Sequence, residues 1–210
     1  MFDLETLIKT GGYLGLFAII FAETGLLVGF FLPGDSLLFT AGILASQGYL
    51  NIAILLATFF AAAVLGDNTG YFIGHKFGKK LFRKEDSLLF HKEHLARAKN
   101  FYEKHGRKTI IIARFMPIIR TFSAVVAGIG DMPYLTFLTF DVVGGFLWAV
   151  GIPLLGYFLG NVIPDIDKFL LPIIALIIFF SVFPGLRAML KTKEQREKIL
   201  VILKSLSRKN

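Results

Sequence analysis

The sequence predicts an all-α integral membrane protein. It would have two opposed re-entrant helical hairpins of inverted topology, about three spanning helices, and amphipathic surface helices. Three observations carry this. The first is composition: of 210 residues, 55% are hydrophobic and 18% charged, with 23 Phe, against about 25% charged in an ordinary soluble domain. A soluble fold of this length cannot hide so much apolar surface, which excludes a disordered chain, a disulfide scaffold and an ordinary cytosolic enzyme. The second is charge. The net charge is +8, and of 23 Lys/Arg, 11 lie within residues 76–108 and 8 within 187–210. Both blocks flank apolar segments, as cytoplasmic loops do, so no nucleic-acid partner is expected. The third is a pair of apolar segments that are broken by proline and carry charge: Glu23 and Asp35 in one, Arg114, Pro117 and Arg120 in the other.

Residues 2–9 read as a short amphipathic start. Asp3 and Glu5 stand where a signal peptide would be basic, so no cleaved leader is expected. Residues 11–32 are apolar apart from Glu23, and Pro33-Gly34-Asp35 ends the run. Residues 36–46 are apolar but too few to cross, since a spanning helix needs about 20. The reading is a re-entrant hairpin over 14–46, tolerated at membrane depth only inside protein or beside a wet cavity. A spanning helix follows at 51–75. The polar run 66–71 is expected near the end of that helix, where Asp67 would cap it, pair with the basic block or join a site.

Within the basic cytoplasmic segment 76–108, Leu88, His91, Leu95, Ala98, Phe101 and Tyr102 recur at helical spacing. They predict an amphipathic helix over about 88–105 with Gly106 as its cap. It would lie on the anionic membrane surface or pack on the protein. Residues 109–130 read as the second re-entrant hairpin, because Pro117 breaks the helix ladder and two arginines lie at depth. Residues 134–160 and 169–186 read as spanning helices joined by an acidic loop, and 187–210 as a basic cytoplasmic tail. The whole is a single membrane domain, 1–210. With both basic blocks inside, parity puts the acidic loop and the N-terminus outside and the hairpins on opposite faces. Transporters built on inverted repeats place their site at the midplane of such an arrangement.

A charge at the bilayer centre costs roughly 2.5–3.5 kcal/mol on insertion scales. Glu23, Asp35, Arg114 and Arg120 are therefore expected to meet, two acids balancing two bases. Arginine's planar fork matches phosphate oxygens and keeps its charge in apolar surroundings, and desolvated carboxylates can carry protons near neutral pH. Together they suggest an anionic substrate moved with or against protons. The alternative is an ion-pair cluster that staples the hairpins. Asp67 is a weaker site candidate, and Asp141 is expected to pack or make a polar contact. His91 and His94 are spaced i, i+3, but Glu93 lies on another helix face, so no metal site is expected. The absence of cysteine removes disulfide, thiolate and Cys-metal chemistry. No Walker loop, G-x-S-x-G elbow or H-E-x-x-H occurs. No cofactor and no enzymatic activity are expected.

The segments F-A-E-T-G-L (21–26), F-L-P-G-D-S-L-L-F (31–39), G-D-N-T-G-Y-F-I-G (66–74), F-Y-E-K-H-G (101–106) and A-R-F-M-P-I-I-R-T-F (113–122) closely resemble the DedA family of bacterial membrane proteins. On that resemblance Glu23 and Asp35 fall on the family's functional acids, for proton coupling and charge balance. Arg114 and Arg120 fall on its functional arginines, for the substrate phosphate. Some relatives carry Pro-Gly-Glu or Pro-Ser-Glu where this chain has Pro-Gly-Asp. The resemblance implies a lipid flippase of the bacterial cytoplasmic membrane, linked to the proton-motive force and translocating undecaprenyl phosphate. A phosphatidylethanolamine flippase or an unselective phospholipid scramblase, as among eukaryotic relatives, is the alternative. A lipid-phosphate enzyme and a structural protein of the division machinery are further rivals.

Overall fold

A computed structural model describes residues 4–26, 34–81 and 106–163. These residues belong to one compact unit, Met1–Lys168; a second unit, Phe169–Asn210, lies outside them. So do the expected 88–105 helix with His91 and His94, the 169–186 span, the basic tail and the turn at Pro33. The described residues form helices and no strands.

Helix α1 (Leu4–Gly25) is two helices joined at Gly12, whose φ of 53° and ψ of −158° suit glycine alone. Its apolar part is Gly11–Gly25. Helix α2 (Gly34–Ser46) has 13 residues, about 20 Å at 1.5 Å per residue, and is too short for a bilayer core of about 30 Å. It ends in a Schellman cap: Tyr49 N–H donates to Leu44 O, and Gly48 N–H, at φ 82°, donates to Ala45 O. Asn51 then starts the next helix by accepting from Ile54 N–H, while its own N–H donates to Tyr13 Oη.

Helix α3 (Ile52–Leu81) runs unbroken for 30 residues. Its apolar stretch Ile52–Phe77 covers the expected 51–75, but the placing of 66–71 near a helix end is corrected. The polar run stays helical because its side chains bond within the helix: Asn68 Nδ2 donates to Val64 O and Thr69 Oγ1 to Leu65 O. Asp67 therefore caps nothing and sits mid-helix.

The segment expected at 109–130 is broken as Pro117 requires. A 3₁₀ turn (Gly106–Lys108) leads into α4 (Thr109–Ala113), and α5 (Pro117–Ile129) follows with proline in its first turn. Between them Arg114, Phe115 and Met116 each donate three residues back, to Ile111, Ile112 and Ala113. The expected helix at 134–160 is an apolar stretch, Tyr134–Val162, divided into α6 (Tyr134–Ala149) and α7 (Gly151–Val162). Pro153 accounts for the division, because its ring lacks an N–H and crowds the carbonyl of Ala149.

Glycines let these helices touch backbone to backbone. A Cβ at Gly42 would meet Pro153 O at 2.1 Å, and one at Gly156 would meet Phe39 O at 2.3 Å, so α2 lies directly on α7. A Cβ at Gly74 would meet Val125 O at 2.1 Å, and one at Gly128 would meet Tyr71 O at 2.1 Å, so α5 lies directly on α3. Gly25 and Gly66 join α1 to α3 in the same way. Each short helix is thus packed on the long helical stretch from the other half of the chain.

Ile52–Phe77 and Tyr134–Val162 are long and apolar enough to cross a membrane, and only a third of each is buried. Leu65, Phe72, Leu135, Phe146, Leu155 and Phe158 are exposed. A soluble core helix would bury these faces, whereas here they are apolar and turned outward. Inside are two apolar clusters. One contains Ile20, Leu37, Phe59, Ala63 and Trp148; the other contains Tyr71, Ile110, Ala127 and Phe137. Asp67 lies between them along α3, and Asp141 lies between them along α6.

Candidate functional site

Of the four charges expected to meet, Glu23, Asp35 and Arg120 do, while Arg114 pairs with other acids. Arg120, on the first turns of α5, takes both acids of the first segment. Its Nη1 donates to Asp35 Oδ1 at 2.7 Å and its Nη2 to Glu23 Oε1 at 2.5 Å. Glu23 comes from the end of α1, Asp35 from the start of α2. Gly34 leaves room for the Glu23 carboxyl: a Cβ there would lie 1.6 Å from Glu23 Oε2 and would displace it. Trp148 completes this centre from α6. Its indole Nε1 donates to Asp35 Oδ1 at 2.8 Å, and its ring lies 4.5 Å from the Arg120 guanidinium carbon. The same oxygen of Asp35 thus accepts from both Arg120 and Trp148.

Arg114 belongs to a second centre. Its Nη2 contacts Asp67 Oδ2 and lies 2.5 Å from Asp141 Oδ1. Asp67 is held by α3 and Asp141 by α6. These three side chains are 1%, 3% and 0% exposed, whereas that of Asp35 is 22% exposed. The Arg120 centre is therefore the one with an opening, and the Arg114 centre is closed. The two are adjoining: Arg120 Nη1 also lies 3.4 Å from Arg114 O, and Trp148 is 6.0 Å from the Arg114 guanidinium.

The expected balance of two acids with two bases is corrected by this geometry. Four carboxyls surround two guanidiniums, because Asp67 and Asp141 both enter. Asp141 does make a polar contact, as expected, and that contact is an ion pair. A lone carboxylate in an apolar span is the signal that singled out Glu23, and it applied equally to Asp141. Trp148 carried no charge signal, although it is the only tryptophan in the chain. Among the described residues no group of His, Cys, Asp and Glu is arranged to hold a metal ion.

Residues 32–158 match the family model of the VTT domain. The chain is 46% identical to Protein DedA of Escherichia coli over 183 residues, covering 86% of this chain and 83% of that protein. It is 50% identical to the uncharacterized membrane protein ML0287 of Mycobacterium leprae over 170 residues, covering 81% and 76%. It is 34% identical to the inner membrane protein YqjA of Escherichia coli over 151 residues, covering 71% and 68%. No solved structure matches.

Proposed function

This chain belongs to the DedA family of VTT-domain membrane proteins, a family broadly linked to membrane lipid transport, and on that premise we propose that it is a flippase of the bacterial cytoplasmic membrane. It returns a phosphate-bearing lipid, undecaprenyl phosphate, from the outer to the inner leaflet, in step with protons. It is a transporter and not an enzyme. The helices α1–α2 and α4–α5 are the two re-entrant hairpins, entering from opposite faces, and the long stretches Ile52–Phe77 and Tyr134–Val162 cross the membrane. The exchanged packing of α2 on α7 and of α5 on α3 supports this inverted arrangement.

The observation that carries the reading is the Arg120 centre. A guanidinium buried among apolar helices has two carboxylate oxygens on its terminal nitrogens and an indole under its face. Two phosphate oxygens fit the same fork. Glu23 and Asp35 thus occupy the site of the anion and neutralise Arg120 while no phosphate is bound. Taking up protons cancels their charge and weakens their hold on Arg120, which can then accept the lipid phosphate. Arg114 offers a second contact once it is released from its own acids. The lipid tails stay in the bilayer while the head group passes between the hairpins.

The test is reconstitution into vesicles with labelled undecaprenyl phosphate, phosphatidylethanolamine and phosphatidylcholine. Movement of the polyprenyl phosphate alone supports the proposal. Movement of every lipid identifies a scramblase, hydrolysis identifies an enzyme, and inertness toward all three contradicts transport.

A further inference from the structure

The Arg114 centre has a feature that the Arg120 centre lacks. Two carboxyls contact one nitrogen, Nη2, while Arg114 Nε and Nη1 have no hydrogen-bond partner. Asp67 Oδ1 and Asp141 Oδ2 also have none. All three side chains are almost completely buried. Asp67 and Asp141 come together on that one nitrogen, each within ion-pair distance of it. Two carboxylates side by side have no proton to place between them and leave one buried negative charge uncompensated by Arg114. One added proton removes that charge and supplies the missing donor.

We infer that Asp67 and Asp141 form a proton-binding site that holds one shared proton over Arg114. The proton is taken from solvent and released to it, and no other bond is made or broken. The charged groups facing the pair are Arg114 from the turn between α4 and α5, Arg120 from α5, and, beyond Arg120, Glu23 from α1 and Asp35 from α2. On α3 itself Tyr71 follows one turn later, its hydroxyl donating to Met132 O; on α6 Tyr134 donates to Asn68 Oδ1. With the proton on, one negative charge and one guanidinium are left, a neutral unit that can stay buried. With the proton off, two negative charges clamp Arg114. The charge state of the pair thereby sets how readily Arg114 can turn to another anion. That last consequence rests on the flippase reading above; the shared proton does not.

The experiment is infrared spectroscopy of the full-length protein in lipid nanodiscs, in ordinary and heavy water, over a pH series. A protonated carboxyl gives a carbonyl stretch apart from the carboxylate bands, and it moves on deuteration. The expected result is one such band in the wild type that is lost or displaced in Asp67→Asn and in Asp141→Asn. It should persist in an Asp35→Asn variant. Each single Asn variant leaves one acid for Arg114, so both should fold, which a melting temperature checks. Absence of the band at every pH where the protein is folded would overturn the inference. So would its survival in both Asn variants, or its loss in Glu23→Gln alone. The vesicle assay is read separately. A band without lipid movement keeps the proton site and removes the flippase reading, and lipid movement without a band does the reverse.

Discussion

Asp35 accepts from Arg120 and from Trp148 through one oxygen, so it is fixed from two sides. Trp148→Phe keeps an aromatic face under the guanidinium but removes the indole N–H. The expected loss is that of one hydrogen bond to a charged group, about 1.5–3 kcal/mol, read as a lower melting temperature in detergent, with membrane insertion unchanged. Glu23→Gln tests a different property. Arg120 keeps Asp35 and the amide keeps the shape, so folding should survive, whereas position 23 can no longer titrate. The pH dependence of lipid transport should flatten. An unstable Glu23→Gln variant that is rescued by also replacing Arg120 would instead identify a structural staple, since a broken buried pair costs about 3–5 kcal/mol. At this scale the sequence was most legible where residues are most costly to bury. Glu23, Asp35, Arg114 and Arg120 stand out as charges in apolar runs. Their partnering did not, because proximity in space depends on which helix faces which. Trp148 left no trace, since an aromatic residue in an apolar helix looks like core until its N–H is seen to have an acceptor.

Between elements, glycine governs how close the charges can come. Gly128 lies against Tyr71 O and His75 N, where a Cβ would be at 2.1 and 2.7 Å. Both neighbours are backbone of α3, so neither can rotate away. Gly128→Ala should push α5 off α3 at a cost of about 1–3 kcal/mol or more, and Arg120 moves with α5. The measurement is a melting temperature together with transport, and both should fall. An alanine variant equal to the wild type in both would show that the seam tolerates displacement. Helix types and the break at Pro117 were readable from apolar runs and that proline. The extent of α3 was not. Gly66, Asp67, Asn68 and Thr69 look like a helix end, yet Asn68 and Thr69 satisfy themselves on the preceding turn and Gly66 receives the backbone of α1. Polar residues inside a packed bundle do not interrupt a helix as they would in an isolated one.

For the whole molecule, the proposed orientation rests on the basic blocks. Nineteen of 23 Lys/Arg lie within 76–108 and 187–210, and such blocks stay on the cytoplasmic side. Reporter fusions after Lys108 should report cytoplasm, and one after Val162 should report the outside. An external signal at Lys108 would reverse the hairpins and overturn the proposed inverted arrangement. The segregation of charge also explains how a chain with 55% hydrophobic residues can hold six ionisable groups among its helices: they pair with one another, while the outward faces of the long helices carry Phe, Leu and Val.

The proposed transport depends on a bidentate fork at Arg120, and Arg120→Lys tests it most directly. Lysine keeps the positive charge but presents a compact ammonium that cannot reproduce the planar pair of donors. Wild type and variant, inserted to equal levels and checked for equal melting temperatures, are compared for movement of labelled undecaprenyl phosphate across vesicles. The expected result is rapid movement by the wild type and a fall of about ten-fold or more in the variant, the equivalent of roughly 1.4 kcal/mol in the transport barrier. Equal rates in the two proteins, or no movement by the wild type, would contradict it.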